Sequence, residues 1–187
     1  KLLPRSNFSA ELEAYNERTG YQPRLLLAVG TQSLDSTQLH IVLEDIARLQ
    51  ASGAEQTADW HLRMGIDKLL LRDIGEAVRQ FCASLDLAPQ QPLALLAFTT
   101  ARLMLAEMLT DPEPQALMYT LAMRELTTAI SHAPQIGYLY YNRAHLHQTL
   151  GHTDQAIADY TKAIELLPQA GEAYYNRALL LEQQGQH

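Results

Sequence analysis

A 34-residue period in the second half of the chain leaves few folds open to it. Tyr140-Tyr141-Asn142-Arg143-Ala144 returns 34 residues later as Tyr174-Tyr175-Asn176-Arg177-Ala178, and Pro134 stands 34 residues before Pro168. The run from Gln155 to Pro168 aligns with the run from Glu76 to Pro89, with Ala77, Phe81, Ser84 and Pro89 answering Ala156, Tyr160, Ala163 and Pro168. Ala122, Leu126, Ala129, Ile130 and Pro134 repeat the same offsets between them. A period of this length belongs to supersecondary units that cannot bury their apolar face alone and gain a core only by stacking on neighbours.

The spacing inside each unit is helical. Ala156, Tyr160, Ala163 and Ile164 fall on one stripe at steps of three and four, with Asp159, Lys162 and Glu165 expected to face solvent. Small residues such as Ala144 and Ala156 let two helix axes approach, and Tyr140 and Tyr160 fill wider gaps. Gly151 supplies the positive φ that ends a first helix, and Pro168 stops a second. The reading is an all-α chain of helix-turn-helix units.

A 34-residue unit with these residues resembles the tetratricopeptide repeat family. Over residues 137–170 the family's hallmark positions fall on Tyr140, Ala144, His147, Gly151, Ala156, Tyr160, Ala163 and Pro168, and only His147 departs from the usual apolar choice. Residues 58–91 match less fully, since His61 and Lys68 stand where large apolar residues are expected. Residues 92–136 keep the second-helix signature, and residues 171–187 are a first helix followed by Gly185. The resemblance implies a right-handed α-α solenoid over residues 58–187, with repeats 58–91, 92–136 and 137–170 and a partial repeat 171–187. Because the chain starts at Lys1 and stops inside the pattern, it is expected to be part of a longer array.

Two places break the period. Pro89 to Pro134 is 45 residues, an excess of 11 over the repeat. Leu103, Met104, Leu105, Met108 and Leu109 run on towards Asp111-Pro112-Glu113-Pro114, so both helices of this hairpin are expected to be long. Asp111 would cap the second, with Pro112 or Pro114 in its first turn, and the hairpin would protrude by roughly 8 Å. The other break is residues 1–57, a mostly helical non-repeat segment expected to pack on the array. Residues 9–18 and 36–50 read as helices, the latter with Leu39, Val42, Leu43, Ile46 and Leu49 as its apolar stripe after Asp35 or Ser36 as cap. Residues 24–29 are a short apolar run, strand or buried extended segment. Leu62, Ile66, Leu69 and Leu70 sit where the family's groove residues lie and need an apolar cover; left open, they would line an apolar-ligand groove.

Composition narrows the function. Fourteen Lys plus Arg against 21 Asp plus Glu give a net charge of −7 without any basic stripe, so no nucleic-acid partner is expected. No run approaches the ~20 apolar residues of a membrane span. The single Cys82 reads as a buried structural thiol. His145 and His147, two apart, point to different faces of a helix, whereas metal pairs sit at steps of three or four. There is no glycine-rich phosphate loop and no nucleophile elbow. No enzyme activity, cofactor or metal is expected.

The family resemblance places the binding face on the first helices. It implies Tyr138, Tyr141, Asn142, His145, Gln148 and Thr149 on one repeat and Glu172, Tyr175, Asn176 and Leu179 on the next, a chemistry suited to an extended peptide. The family's carboxylate clamp needs basic residues and asparagines where this chain has Leu96, Thr100, Asn142, Glu172 and Asn176, so a clamp is not expected. The expected function is a non-catalytic scaffold for a neutral or basic protein or peptide. The alternatives are an accessory module of a larger enzyme or envelope complex, and an apolar-ligand receptor at the four groove leucines. Neither compartment nor oligomeric state is readable.

Overall fold

A computed structural model describes residues 36–51 and 57–185. The expected helix over 9–18, the apolar run at 24–29 and the cap at Asp35 lie outside the described residues. The described residues contain eight helices: α1 Ser36–Ala51, α2 Ala58–Leu70, α3 Ile74–Leu87, α4 Pro92–Met108, α5 Pro112–His132, α6 Gly137–Thr149, α7 Thr153–Leu166 and α8 Gly171–Gln183. The described residues divide into two compact units, with the boundary between Leu87 and Ala88.

In the first unit α2 and α3 form an antiparallel hairpin and α1 packs on α2. Thr57 caps α2, its side chain accepting from the Trp60 N–H. Leu62, Ile66, Leu69 and Leu70 are all buried, so the four residues that needed a cover have one. On α1 the buried line is narrower than the expected stripe: Val42 and Ile46 are buried, while Leu39 and Leu43 are exposed. The contact is instead polar at its edges. Arg63 donates twice to the buried Asp45, at 3.1 and 3.2 Å, and the Trp60 indole N–H donates to the Leu49 carbonyl at 3.1 Å.

Ala77, Phe81 and Ser84 make the buried line of α3, and the Ser84 hydroxyl donates to the Ala58 carbonyl at 2.8 Å. Cys82 is exposed, contrary to expectation, because one residue beyond Phe81 is a turn of about 100° away from that line. Gly65 is required here, since a Cβ on it would stand 2.5 Å from the ring of the fully buried Phe81.

The second unit contains the α4–α5 and α6–α7 hairpins and the single helix α8, with contacts α5 to α6 and α7 to α8. The long hairpin is built as its sequence implies. Against α6 and α7, helices α4 and α5 are longer by four residues (17 against 13) and seven (21 against 14), which together absorb the excess of 11. Asp111 is the N-cap of α5, accepting from the Glu113 N–H at 3.1 Å, with proline in the first turn. Ala133 and Leu167, each before a proline, share one backbone conformation (φ −140 and −133, ψ 66 and 73) and end α5 and α7 alike.

Ala144 on α6 and Ala156 on α7 are both fully buried. Ala144→Leu and Ala156→Leu are each expected to destabilise the unit by about 1–3 kcal/mol, because there is no room for three more carbons. Urea denaturation checks this, and unchanged midpoints for both would mean that α6 and α7 are paired in another register.

Candidate functional site

The face formed by α6 and α8 is built from a repeated dipeptide. Tyr141-Asn142 on α6 and Tyr175-Asn176 on α8 occupy equivalent positions. Each asparagine reaches back to the preceding first helix. The Asn142 amide donates to the Thr100 hydroxyl on α4 at 3.5 Å, and Thr100 itself donates to the Leu96 carbonyl at 2.9 Å. The Asn176 amide donates to the Tyr141 hydroxyl at 3.3 Å. These are two rungs of one ladder, and they hold three successive first helices at fixed spacing.

The ladder decides which of the expected binding residues turn inward. Asn142 is 5% exposed and Tyr141 8%. The Tyr141 ring meets Tyr160 of α7 edge-on, with centroids 5.5 Å apart. Burial pushes the Tyr141 phenol up to about 12, with nearby Glu172 adding to the rise. Gln148 also faces inward, its side-chain oxygen accepting from the Tyr160 hydroxyl at 2.7 Å. These three side chains brace the wall.

The others retain solvent-facing surface. Tyr175, the equivalent of Tyr141, is 65% exposed. Tyr138, Asn176 and Leu179 are half-buried, and His145, Thr149 and Glu172 are exposed. On α6, Tyr138, Tyr141, His145 and Thr149 follow one another at steps of three and four, as Glu172, Tyr175 and Leu179 do on α8, so each set shares a stripe. His145 keeps accessible area yet is crowded by surrounding protein, which lowers its pKa, while Glu107 at the end of α4 pulls the other way.

Below this face lies a motif that sequence spacing misplaces. Spacing sets Asp159 at the surface, but it is 8% exposed and receives Arg143 Nε at 2.7 Å and Nη2 at 2.8 Å. This bidentate pair raises the Arg143 pKa. The long hairpin has its counterpart in Arg102 and Glu125, at 2.8 and 3.1 Å, with the Arg102 guanidinium over the Phe98 ring. Lys162 and Glu165 do face solvent, paired with each other at 2.8 Å.

The positions where the family's clamp would lie hold no basic side chain. Leu96 and Thr100 are buried, Asn142 is engaged by Thr100, and Glu172 is exposed. Among the described residues no helix is long and apolar enough to cross a membrane.

Comparison with known proteins agrees with this architecture. Tetratricopeptide repeat models match residues 137–169 and 159–187. No curated protein matches the sequence. Among solved structures, a thermophilic tetratricopeptide repeat protein of Thermus thermophilus is 18% identical with a TM-score of 0.66, covering 80% of this chain and 74% of its own. MamA from Desulfovibrio magneticus is 19% identical with a TM-score of 0.62, covering 95% of this chain and 87% of its own. The first repeat domain of Spaghetti (RPAP3), solved with an HSP90 peptide, is 17% identical with a TM-score of 0.60, over 71% and 96%. The repeat period, the hairpins it folds into and these matches agree: residues 137–187 match tetratricopeptide repeat models, and the chain shares the fold of solved tetratricopeptide repeat proteins.

Proposed function

We propose that this chain is a non-catalytic protein-interaction scaffold that binds an extended segment of a partner protein along the α6–α8 face. The observation that carries the reading is the stripe on α6, where Tyr138 is half-buried and His145 and Thr149 are exposed although helices precede and follow it. Tyrosine offers a large contact area at little entropic cost, which suits a recognition surface. Tyr175, Asn176 and Leu179 complete the contact set, and Tyr141, Asn142 and Gln148 hold its wall in shape. Glu107 and Glu172 border the face, so a neutral or basic segment fits it better than an acidic one. The HSP90 peptide of the RPAP3 domain does not carry over, because Leu96, Thr100 and Glu172 offer no basic group to its carboxylates. This reading keeps residues 58–187 as the repeat domain, in units 58–91, 92–136, 137–170 and 171–187, with residues 1–57 as an N-terminal non-repeat segment that packs on the array.

Burial of Leu62, Ile66, Leu69 and Leu70 argues against an apolar-ligand receptor at those residues. A second docking point has an observation in its favour: near the turn of the long hairpin, Met108 is 70% exposed and Leu117 55%. An accessory role within a larger complex would use either surface.

With a partner captured from native lysate, Tyr175→Ala and His145→Ala are each expected to weaken binding by about 1–3 kcal/mol, as loss of an interface anchor does. Lys162→Ala, on the exposed side of α7, should leave affinity unchanged. Calorimetric titration checks both. Binding indifferent to the two face variants but lost when residues 109–116 are shortened would move the site to the long hairpin.

A further inference from the structure

The turn between α6 and α7 holds a pair of imidazoles that a helix-face reading cannot find. Gly151 takes the left-handed conformation at φ 75, the His152 N–H bonds back to the His147 carbonyl at 2.8 Å, and the Gly151 N–H bonds to the Gln148 carbonyl at 3.0 Å. This is a Schellman ending, which brings the side chains of its first and last residues together and usually joins them by an apolar contact. The same turn after α2, with Arg72 at φ 61, joins Lys68 and Asp73. After α6 both closing residues are histidines.

Their separation is compatible with two ligands of one ion. The two Nδ1 atoms lie 3.3 Å apart, with ring centroids at 5.5 Å and planes inclined at 53°. Two nitrogens bound at 2.0–2.1 Å to a tetrahedral zinc ion stand about 3.3 Å apart. The other ring nitrogen of His147, Nε2, is turned towards the Asp159 carboxylate at 3.9 Å. Metal-bound histidines characteristically direct their second nitrogen to a carboxylate, which holds the proton there and leaves the first nitrogen's lone pair free. Arg143 lies on the same carboxylate, and its bidentate pairing with Asp159 balances the positive charge that would otherwise oppose a cation.

We propose that His147 and His152 form a two-imidazole site for a divalent first-row transition-metal ion of the zinc or copper class, bound through both Nδ1 atoms. The hairpin turn holds the two rings in register, so little conformational freedom is lost on binding. No cluster of three or more candidate ligands exists among the described residues, so water or a partner's side chain completes the coordination and the ion is exchangeable. Nitrogen ligands favour copper over zinc and exclude magnesium, which requires oxygen.

The test is a titration of the full chain with zinc chloride, followed by calorimetry and by the side-chain 15N resonances of the histidines, with magnesium chloride alongside. One ion per chain is expected, with micromolar affinity, chemical-shift changes at Nδ1 of His147 and His152, and no response to magnesium. His152→Gln and His147→Gln should each weaken binding at least tenfold, and His145→Gln should not. The metal-free melting temperature of His152→Gln should stay near that of the parent, since His152 is exposed. Unchanged binding in both Gln variants, shifts confined to other histidines, or no saturable binding below millimolar zinc would each overturn the proposal and leave the contact as a hydrogen bond between two rings.

Discussion

Asp159→Ala is expected to lower the stability of the second unit by about 3 kcal/mol, within the range for removing one partner of a buried ion pair. The Asp159 side chain is 11% exposed and accepts two hydrogen bonds from Arg143, at 2.7 and 2.8 Å. Its removal strands a guanidinium whose side chain is only 20% exposed. Arg143→Ala should cost a similar amount for the mirror reason. Replacing both with apolar residues should recover much of the loss, because the penalty lies mainly in leaving one charge without its partner. A double-mutant cycle in urea measures all three. A single-variant cost below about 0.5 kcal/mol, the level of an ordinary surface change, would mean that the pair is solvated and that α7 is rotated away from α6.

This ion pair also marks where the sequence stops being legible. The positions of the helices follow from the period, because small and large residues alternate at fixed offsets and each turn carries its own stop signal, as Gly151, Pro134 and Pro168 do. How much of a helix's circumference is buried does not follow from that pattern. Helix α7 touches both α6 and α8, so its buried arc is wide enough to take in Asp159 beside Tyr160. Helix α3 buries only the line Ala77, Phe81 and Ser84, which leaves Cys82 outside. A wheel drawn from spacing alone gives both helices the same face.

The candidate site divides in the same way. The Tyr-Asn repetition is visible in the sequence, but its use as a ladder is not, because the partner of Asn142 is Thr100, 42 residues earlier and across the irregular long hairpin. Sequence alone therefore offers Asn142 to a partner where the fold spends its amide on stacking. His147 and His152 escape because five residues is not a helical spacing. The available signal is His-x-x-x-Gly-His, a histidine at each closing position of a glycine-ended helix.

Tyr160→Ala is expected to cost on the order of 4 kcal/mol, as deletion of a fully buried aromatic ring does. The ring is 0% exposed, packs edge-on against Tyr141 and donates its hydroxyl to Gln148, both on α6, so the cavity opens where α6 and α7 meet. Tyr160→Phe keeps the ring and removes only the hydroxyl that donates to Gln148 at 2.7 Å, so a loss of about 1 kcal/mol is expected. The conservative variant also separates two roles for Gln148. If its side chain only braces the wall, Tyr160→Phe lowers the urea midpoint slightly and leaves partner affinity unchanged. If Gln148 contacts the partner, freeing its amide from Tyr160 alters affinity out of proportion to the change in stability. Gln148→Ala measured in the same two assays then fixes the assignment, because a bracing residue moves the midpoint first and a contact residue moves the affinity first.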